Sequence, residues 1–117
     1  MNEPQWRNPT DYDNQLIKRL LDTPFTGSDS ILAQLEHCRV REFDNNGSIE
    51  FLIPIDSPLA QVEKRVAVEG VYTDSDGITA HVLLHVVSGV TKEIEIYKED
   101  NSDVLEKSRV LGVRVQT

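Results

Sequence analysis

Two histidines and a group of glutamates are the residues of this sequence whose types could support chemistry. His81 and His85 stand four residues apart, and Glu93, Glu95 and Tyr97 follow shortly after them. Imidazole and carboxylate groups bind divalent metal ions, and a histidine oriented by a carboxylate can act as a general base. Which of these roles is open depends on how the secondary structure distributes the side chains.

The spacings do not predict a metal site. In a strand, residues four apart lie about 13 Å from each other, at about 3.3 Å per residue, which is too far to share one ion. The aspartate-rich loops 74–77 and 44–47 resemble calcium loops, but alignment on their glycines puts Leu83 and Ile53 where an EF-hand needs a carboxylate. Cys38 is the only cysteine. We therefore expect no metal and no cofactor.

A pair formed by His81 and Glu95 would combine a base with the acid that orients it. Such pairs are also ordinary cross-strand contacts, worth about 0.2–1 kcal/mol. No serine or cysteine with a nucleophile motif accompanies them. We expect no catalytic residue, while an enzymatic or small-molecule-binding role for a sheet face with His81, Glu95 and Tyr97 stays as an alternative.

The elements that position these residues follow from hydrophobic periodicity. The chain of 117 residues forms one domain, 1–117, with helices within about 10–36 and a sheet within about 38–115. Thr10 begins the first helix, and Ser28 or Ser30 is expected to cap the second. The fold class is α+β, with two N-terminal helices packed on one face of an antiparallel β-meander of five to six strands. The predicted strands are 38–43, 48–54, 65–74, 78–87, 90–98 and 109–115.

The strand register decides which way the histidines face. A three-residue loop at 75–77, with Gly77 left-handed, makes one face of the hairpin almost wholly apolar, and burial of one face selects that register. It pairs Ala80, Val82, Leu84 and Val86 with Tyr72, Gly70, Val68 and Val66. The same logic at 87–89 places Val90, Lys92, Ile94 and Ile96 beside Val86, Leu84, Val82 and Ala80. The opposite, solvent face then carries Thr79, His81, Leu83 and His85 next to Tyr97, Glu95, Glu93 and Thr91, so that His81 stands opposite Glu95.

Charge narrows the range of partners. The formal net charge is −8, from 20 acidic and 12 basic residues, and such a chain is repelled by phosphate backbones and anionic lipid. We expect neither nucleic-acid nor membrane binding. The longest apolar run, 82–87, is too short to span a bilayer, and the N-terminus is polar. A cytoplasmic location is expected.

The solvent face of the predicted sheet is the candidate contact surface. Leu83 and Val71 would form small apolar anchors surrounded by carboxylates, an arrangement that suits a basic protein surface. The sequence therefore predicts a non-enzymatic module for a basic protein partner, comparable to the small acidic immunity proteins. A subunit of a homo-oligomeric assembly is the second alternative. The predicted partner-binding residues are Glu69, Val71, His81, Leu83, Glu93, Glu95 and Tyr97.

Several segments also resemble a known family. They are 66–70, 74–77, 81–87 with Gly89, and 93–100, whose letters include HVLLHVV and EIEIYKED, together with 7–10 and 47–51 in the first half. The chain is similar in these segments to a family of small uncharacterised bacterial domains of unknown function, over nearly its whole length. The resemblance implies no activity, catalytic residue or cofactor. Asn101 stands where that family usually has a glycine.

Overall fold

The computed structural model describes residues 5–107 and 112–116. Two helices come first, α1 (Asp11–Leu21) and α2 (Ser28–Leu35). Within the described residues, six strands follow in one antiparallel sheet, so the predicted α+β class is confirmed. The strands are β1 (Arg39–Glu42), β2 (Ile49–Leu52), β3 (Val66–Thr73), β4 (Thr79–Val87), β5 (Val90–Lys98) and β6 (Arg114–Gln116).

Helix α1 begins at the capping box that its sequence predicts. The Thr10 hydroxyl accepts a hydrogen bond from the Asp13 amide at 3.1 Å, and the Asp13 carboxylate accepts one from the Thr10 amide at 2.9 Å. Arg7 also donates to Asp13 at 2.7 Å. Burial raises the pKa of Asp13, but the hydrogen bonds from Arg7 and Thr10 outweigh burial and lower it. The carboxylate therefore stays charged at the positive end of the helix dipole.

Helix α2 begins differently from the prediction. Neither Ser28 nor Ser30 is its cap; Gly27 occupies that position with φ +92° and makes no side-chain cap. The Ser28 hydroxyl instead accepts a hydrogen bond from the Phe25 amide. A Cβ on Gly27 would lie 2.7 Å from the Gln61 carbonyl oxygen, so a glycine is needed there both for its φ and for its size.

The core lies between the helices and one face of the sheet. Helix α1 packs on β3 and α2 packs on β5. The apolar stripe of α1, with Leu16 and Leu20, joins Ile31 of α2 and the inward side chains of the central strands in one buried cluster. Those strand residues are Ala80, Val82, Leu84, Ile94 and Ile96, all buried as the predicted register requires.

The strands lie in the order β1-β2-β5-β4-β3-β6. Strands β3, β4 and β5 form a meander, whereas the irregular link 53–65 carries the chain from β2, beside β5, across to β3. The last predicted strand, 109–115, falls partly on residues 108–111, which lie outside the described residues; within the described part it begins at Arg114. No helix in the described part of the chain is long and apolar enough to cross a lipid bilayer.

The first hairpin has the predicted register. Tyr72 pairs with Ala80, Gly70 with Val82 and Val68 with Leu84, and Gly77 has φ +84°. At the far end of the strand the prediction is wrong. A β-bulge between Val66 and Val68 places Val66 opposite His85 rather than opposite Val86.

The second hairpin departs from the predicted register by one residue at its turn and by two residues beyond a bulge. Its turn contains only Ser88 and Gly89, both with positive φ, so Val87 pairs with Val90. A second bulge follows at Lys92, and from there Val82 pairs with Ile96 and Leu84 with Ile94. The predicted His81–Glu95 pair is therefore wrong: His81 stands opposite Tyr97, and Leu83 stands opposite Glu95.

The bulge at Lys92 also reverses the predicted faces at the start of β5. Thr91 is buried on the core side, whereas Val90 and Lys92, which the periodicity predicts on the core side, are exposed. The Gln34 side chain of α2 accepts hydrogen bonds from the Thr91 amide at 2.8 Å and from its hydroxyl at 2.7 Å. It donates to the carbonyls of Pro58 and Gly89. One buried amide thus joins α2, the long link and β5.

A buried ion pair closes the other end of the sheet. Lys98 continues the inward alternation of Ile94 and Ile96, and its ammonium group lies 3.0 Å from Asp74 and 2.5 Å from Asp76. The Asp74 carboxylate also accepts hydrogen bonds from the backbone amides of Leu105 and Glu106. The charge of Lys98 is therefore matched inside the fold, and the segment after β5 is attached to the first hairpin.

Candidate functional site

The candidate site is the outer face of the sheet, the face opposite the helices. It carries all seven predicted partner-binding residues, because they occupy alternate positions on β3, β4 and β5 and because the bulges leave those positions facing outward. Among residues 5–107 and 112–116, no helix packs on this face. The outer face consists of Glu50 on β2, Glu69 and Val71 on β3, His81, Leu83 and His85 on β4, and Glu93, Glu95 and Tyr97 on β5.

The predicted apolar anchors differ in accessibility. Leu83 is partly buried and lies in one row between Glu95 on β5 and Glu69 on β3, so its predicted acidic surround is present. Val71 is only 5% exposed. It lies between His81 and Arg114, the residues opposite it on β4 and β6. The prediction of an exposed Val71 is wrong: strand β6 pairs with β3 beside it, and Val71 is buried.

The first polar group on the outer face is the His81 cluster, formed by Glu69, His81, Tyr97 and Glu99. The Nδ1 atom of His81 lies 2.7 Å from a Glu69 oxygen, and Nε2 lies 2.9 Å from a Glu99 oxygen. The Tyr97 ring stacks on the imidazole, with centroids 5.0 Å apart. Since an ionised carboxylate only accepts hydrogen bonds, this geometry favours protons on both ring nitrogens, which is the imidazolium form of His81.

The surroundings of His81 stabilise this charge. Burial lowers the pKa of His81, but the hydrogen bonds to Glu69 and Glu99 outweigh burial, and the pKa is raised from its ordinary value. An imidazolium whose two N–H groups are both engaged has no lone pair with which to remove a proton. This arrangement argues against the general-base role that a His81–Glu95 pair would have had.

The second polar group is the His85 cluster, formed by Arg65, His85, Glu93 and Glu95. Arg65 donates from Nε to His85 Nδ1 at 3.2 Å, and His85 Nε2 lies 2.9 Å from a Glu95 oxygen. Because Nδ1 accepts from a permanent cation, the ring proton is on Nε2, which donates to Glu95. Glu93 is the cross-strand partner of His85, and the reactive atoms of His85, Glu93 and Glu95 all lie within 4.8 Å of one another.

His85, which the sequence placed on this face, was not among the predicted partner-binding residues, and three further residues on or beside the face were also absent from that set. Arg65 precedes β3, Glu99 follows β5, and Glu50 lies on β2 directly opposite Glu93. Glu50 forms an ion pair with Arg41, whose guanidinium lies over the Trp6 ring. Alternation along β5 beyond Tyr97 would have placed Glu99 on this face. The pairing of β2 with β5, which brings in Glu50, has no signal in the sequence because it joins strands distant along the chain.

Two surface clefts involve few of the predicted partner-binding residues: the first contains none of them, and the second contains only Glu69. The first cleft, of about 520 Å³, lies between the two helices and is lined by Ile17, Leu21 and Leu32, together with polar residues. A second, of about 570 Å³, lies at the β3 edge and includes Phe25 and Glu69. Leu32 is 45% exposed, so the helical side also presents an apolar side chain that serves as a comparison for Leu83.

Comparison with known proteins gives the family of the chain but no activity. The family described as "Domain of unknown function (DUF6984)" matches residues 6–108. The chain belongs to this family. The match spans both helices and strands β1 to β5, and therefore both clusters of the outer face. No curated protein and no solved structure matches this DUF6984 chain.

Proposed function

We propose that this protein is a non-enzymatic binding module of the bacterial cytoplasm, and that its outer face recognises a basic partner protein. The observation that carries the proposal is the row in which Leu83 lies between Glu69 and Glu95. A partly exposed apolar side chain with a carboxylate on either side gives a contact that excludes water while the carboxylates select a positively charged surface. Small acidic immunity proteins are the functional class that this pattern fits.

The distribution of charge supports a basic partner over a neutral one. The chain carries a net charge of −8, which attracts a basic protein from a distance. On the outer face, Glu69 is held by His81 and Glu95 by His85, so Glu93 is the carboxylate that a partner's cation would meet first. The expected role of Glu93 is therefore to steer association, whereas Leu83 contributes to the stability of the complex.

Site-specific photo-crosslinking in the native host tests the proposal and captures the partner in the same step. A photoreactive amino acid is introduced at position 83 and, in a separate protein, at position 32, and each is irradiated in living cells. We expect a discrete adduct with a basic protein from position 83 and none from position 32. An adduct from position 32 alone would place the interface on the helices, and an adduct with a second copy of this chain would favour the homo-oligomeric alternative.

The captured partner, once purified, allows the roles of Leu83 and Glu93 to be separated. Leu83→Arg should weaken the complex by about 2 kcal/mol or more, as expected for a central contact, while leaving the circular dichroism spectrum unchanged. Glu93→Lys should slow association, with a loss that shrinks as salt rises, because the steering is screened. Leu32→Arg is the matched control. Full binding by Leu83→Arg would exclude this face as the interface.

A further inference from the structure

The docking proposal uses Glu93 and Glu95 as an acidic rim, but it does not use the convergence of these two carboxylates with His85. Glu93 lies directly across from His85 on the neighbouring strand, and Glu95 is two residues further along the same face. One side chain on a strand and two at alternate positions of the adjacent strand point to the same side of a sheet and can converge on one point. From this convergence we propose that His85, Glu93 and Glu95 bind a divalent transition-metal ion such as Zn²⁺.

The distances are suitable for coordination after small side-chain movements. In a tetrahedral zinc site with bonds of about 2.1 Å, ligand atoms lie about 3.4 Å apart. The three reactive atoms here lie within 4.8 Å of one another, and His85 Nε2 and the Glu95 oxygen are already 2.9 Å apart. Glu95 keeps 40% of its side chain exposed, so its torsions can adjust. His85, which is largely buried, supplies the fixed ligand.

The chemistry of the donors indicates the class of ion. One imidazole and two carboxylates form a mixed nitrogen and oxygen set, which suits Zn²⁺ and its first-row neighbours better than ions that prefer thiolates. The two carboxylate charges balance a dication. The face is open on the solvent side, so the remaining coordination positions are accessible to water or to a small ligand.

Arg65 sets a condition on binding. A histidine that coordinates a metal through one nitrogen normally donates its other N–H to an acceptor. Here Nδ1 of His85 faces the Arg65 guanidinium, which is itself a donor. Metal binding through Nε2 moves the ring proton to Nδ1, and Arg65 must then turn away. Arg65 is exposed, so it has room to do so, and it competes with the ion rather than blocking it.

The expectation of no metal site rested on the separation of His81 and His85, on the failed calcium-loop alignment and on the single cysteine. That separation gives no reason against a site built from one histidine and carboxylates across the strand. His81 makes the contrast clear, because Glu69 and Glu99 lie on opposite nitrogens of its ring and cannot converge on one ion. His81 therefore serves as a matched control for His85 in metal binding, because it lies on the same strand and face and is also bonded to glutamate.

Calorimetric titration of the full chain with zinc chloride tests the proposal and needs no partner, so its failure is distinguishable from failure of the docking function. We expect one ion per chain. Glu93→Gln and Glu95→Gln should each weaken binding by about tenfold or more, and His85→Gln should abolish it. His81→Gln should bind as the wild type does. Circular dichroism confirms folding of each variant, and the two glutamate variants remain informative if His85→Gln fails to fold.

Two results would overturn the site. One is the absence of saturable binding by the wild type. The other is binding that survives Glu93→Gln and Glu95→Gln but is lost in His81→Gln, which would place the ion at the other cluster. Substitution of Co²⁺ gives an independent measurement, since a visible absorption band that disappears in Glu93→Gln reports coordination directly and not merely a change in stability.

Discussion

The contribution of the His81 cluster to the free energy of unfolding can be predicted from the exposure of its side chains. The His81 side chain is 18% exposed, Glu69 33% and Glu99 59%. A hydrogen bond to a charged group contributes about 1.5–3 kcal/mol when sheltered, whereas an exposed ion pair contributes about 0.2–1 kcal/mol. Glu69→Gln should therefore lower the free energy of unfolding by about 1 kcal/mol near pH 6. Glu99→Gln, at the more exposed nitrogen, should lower it by roughly 0.3 kcal/mol.

The sign of the pH dependence follows from the raised pKa of His81 in the folded protein. The cluster contributes its full stabilisation below the unfolded pKa of about 6.5, and the contribution is lost as the pH rises through the folded pKa. Urea unfolding at a series of pH values measures this loss. The matched comparison is His81→Gln, in which the difference between acidic and alkaline conditions should shrink.

Proton NMR of the imidazole ring gives the direct assay. The His81 resonance should titrate with a midpoint above about 6.5 in the folded protein, and Glu69→Gln should move that midpoint down. The charged groups bonded to the ring are Glu69 from β3 and Glu99, which follows β5. Arg114 of β6 is two strands away, opposite Val71. A wild-type midpoint at or below about 6.5, or one that Glu69→Gln leaves in place, would refute the assignment of an imidazolium.

Three further predictions concern the supports of the fold and the proposed metal site. Gln34→Leu should destabilise the protein by about 1–3 kcal/mol in urea unfolding, because it leaves the buried Thr91 amide without a partner. The matched change Gln61→Leu, at an exposed glutamine, should change stability little. Burial raises the pKa of Asp74, but hydrogen bonds, including that from Lys98, lower it to about 2. The stabilising contribution of Asp74 should therefore be lost as the pH falls from about 4 to 2. This loss of stability should be absent in Asp74→Asn. Arg65→Gln should tighten zinc binding, because the amide oxygen can accept from Nδ1 of His85; weaker binding would contradict the proton assignment.

The register of the first hairpin was predictable because two independent signals agreed. Gly77 fixed a left-handed residue in the loop, and strict alternation in β4 left a single register with an apolar face. The helix α1 was predictable for the same reason, since the Thr10 capping box and the apolar stripe start at compatible positions. Where local geometry and periodicity agree, the sequence specifies the element.

The second hairpin was predicted with the right faces for Ile94 and Ile96 but with the wrong partners. A loop containing Ser88 and Gly89 can be read with either two or three residues, and a bulge at Lys92 then shifts the register again. Periodicity alone cannot locate a bulge, because the extra residue interrupts the period that is being used. This shift of register changes the candidate site, because it replaces the predicted His81–Glu95 pair by two separate clusters.

The bulge at Lys92 has a physical cause that connects the core to the outer face. Uninterrupted alternation back from Ile94 would turn the Lys92 ammonium inward and Thr91 outward. Gln34 prevents this arrangement, because its buried amide accepts from both the Thr91 amide and the Thr91 hydroxyl and so holds Thr91 on the core side. Lys92 then faces solvent, 3.9 Å from Glu50, while Glu93 keeps its place opposite His85. The contact between Gln34 and Thr91 on the helix side of the sheet thus helps to set which side chains meet on the outer face. Gln34 supports both clusters in this way although it contacts neither of them.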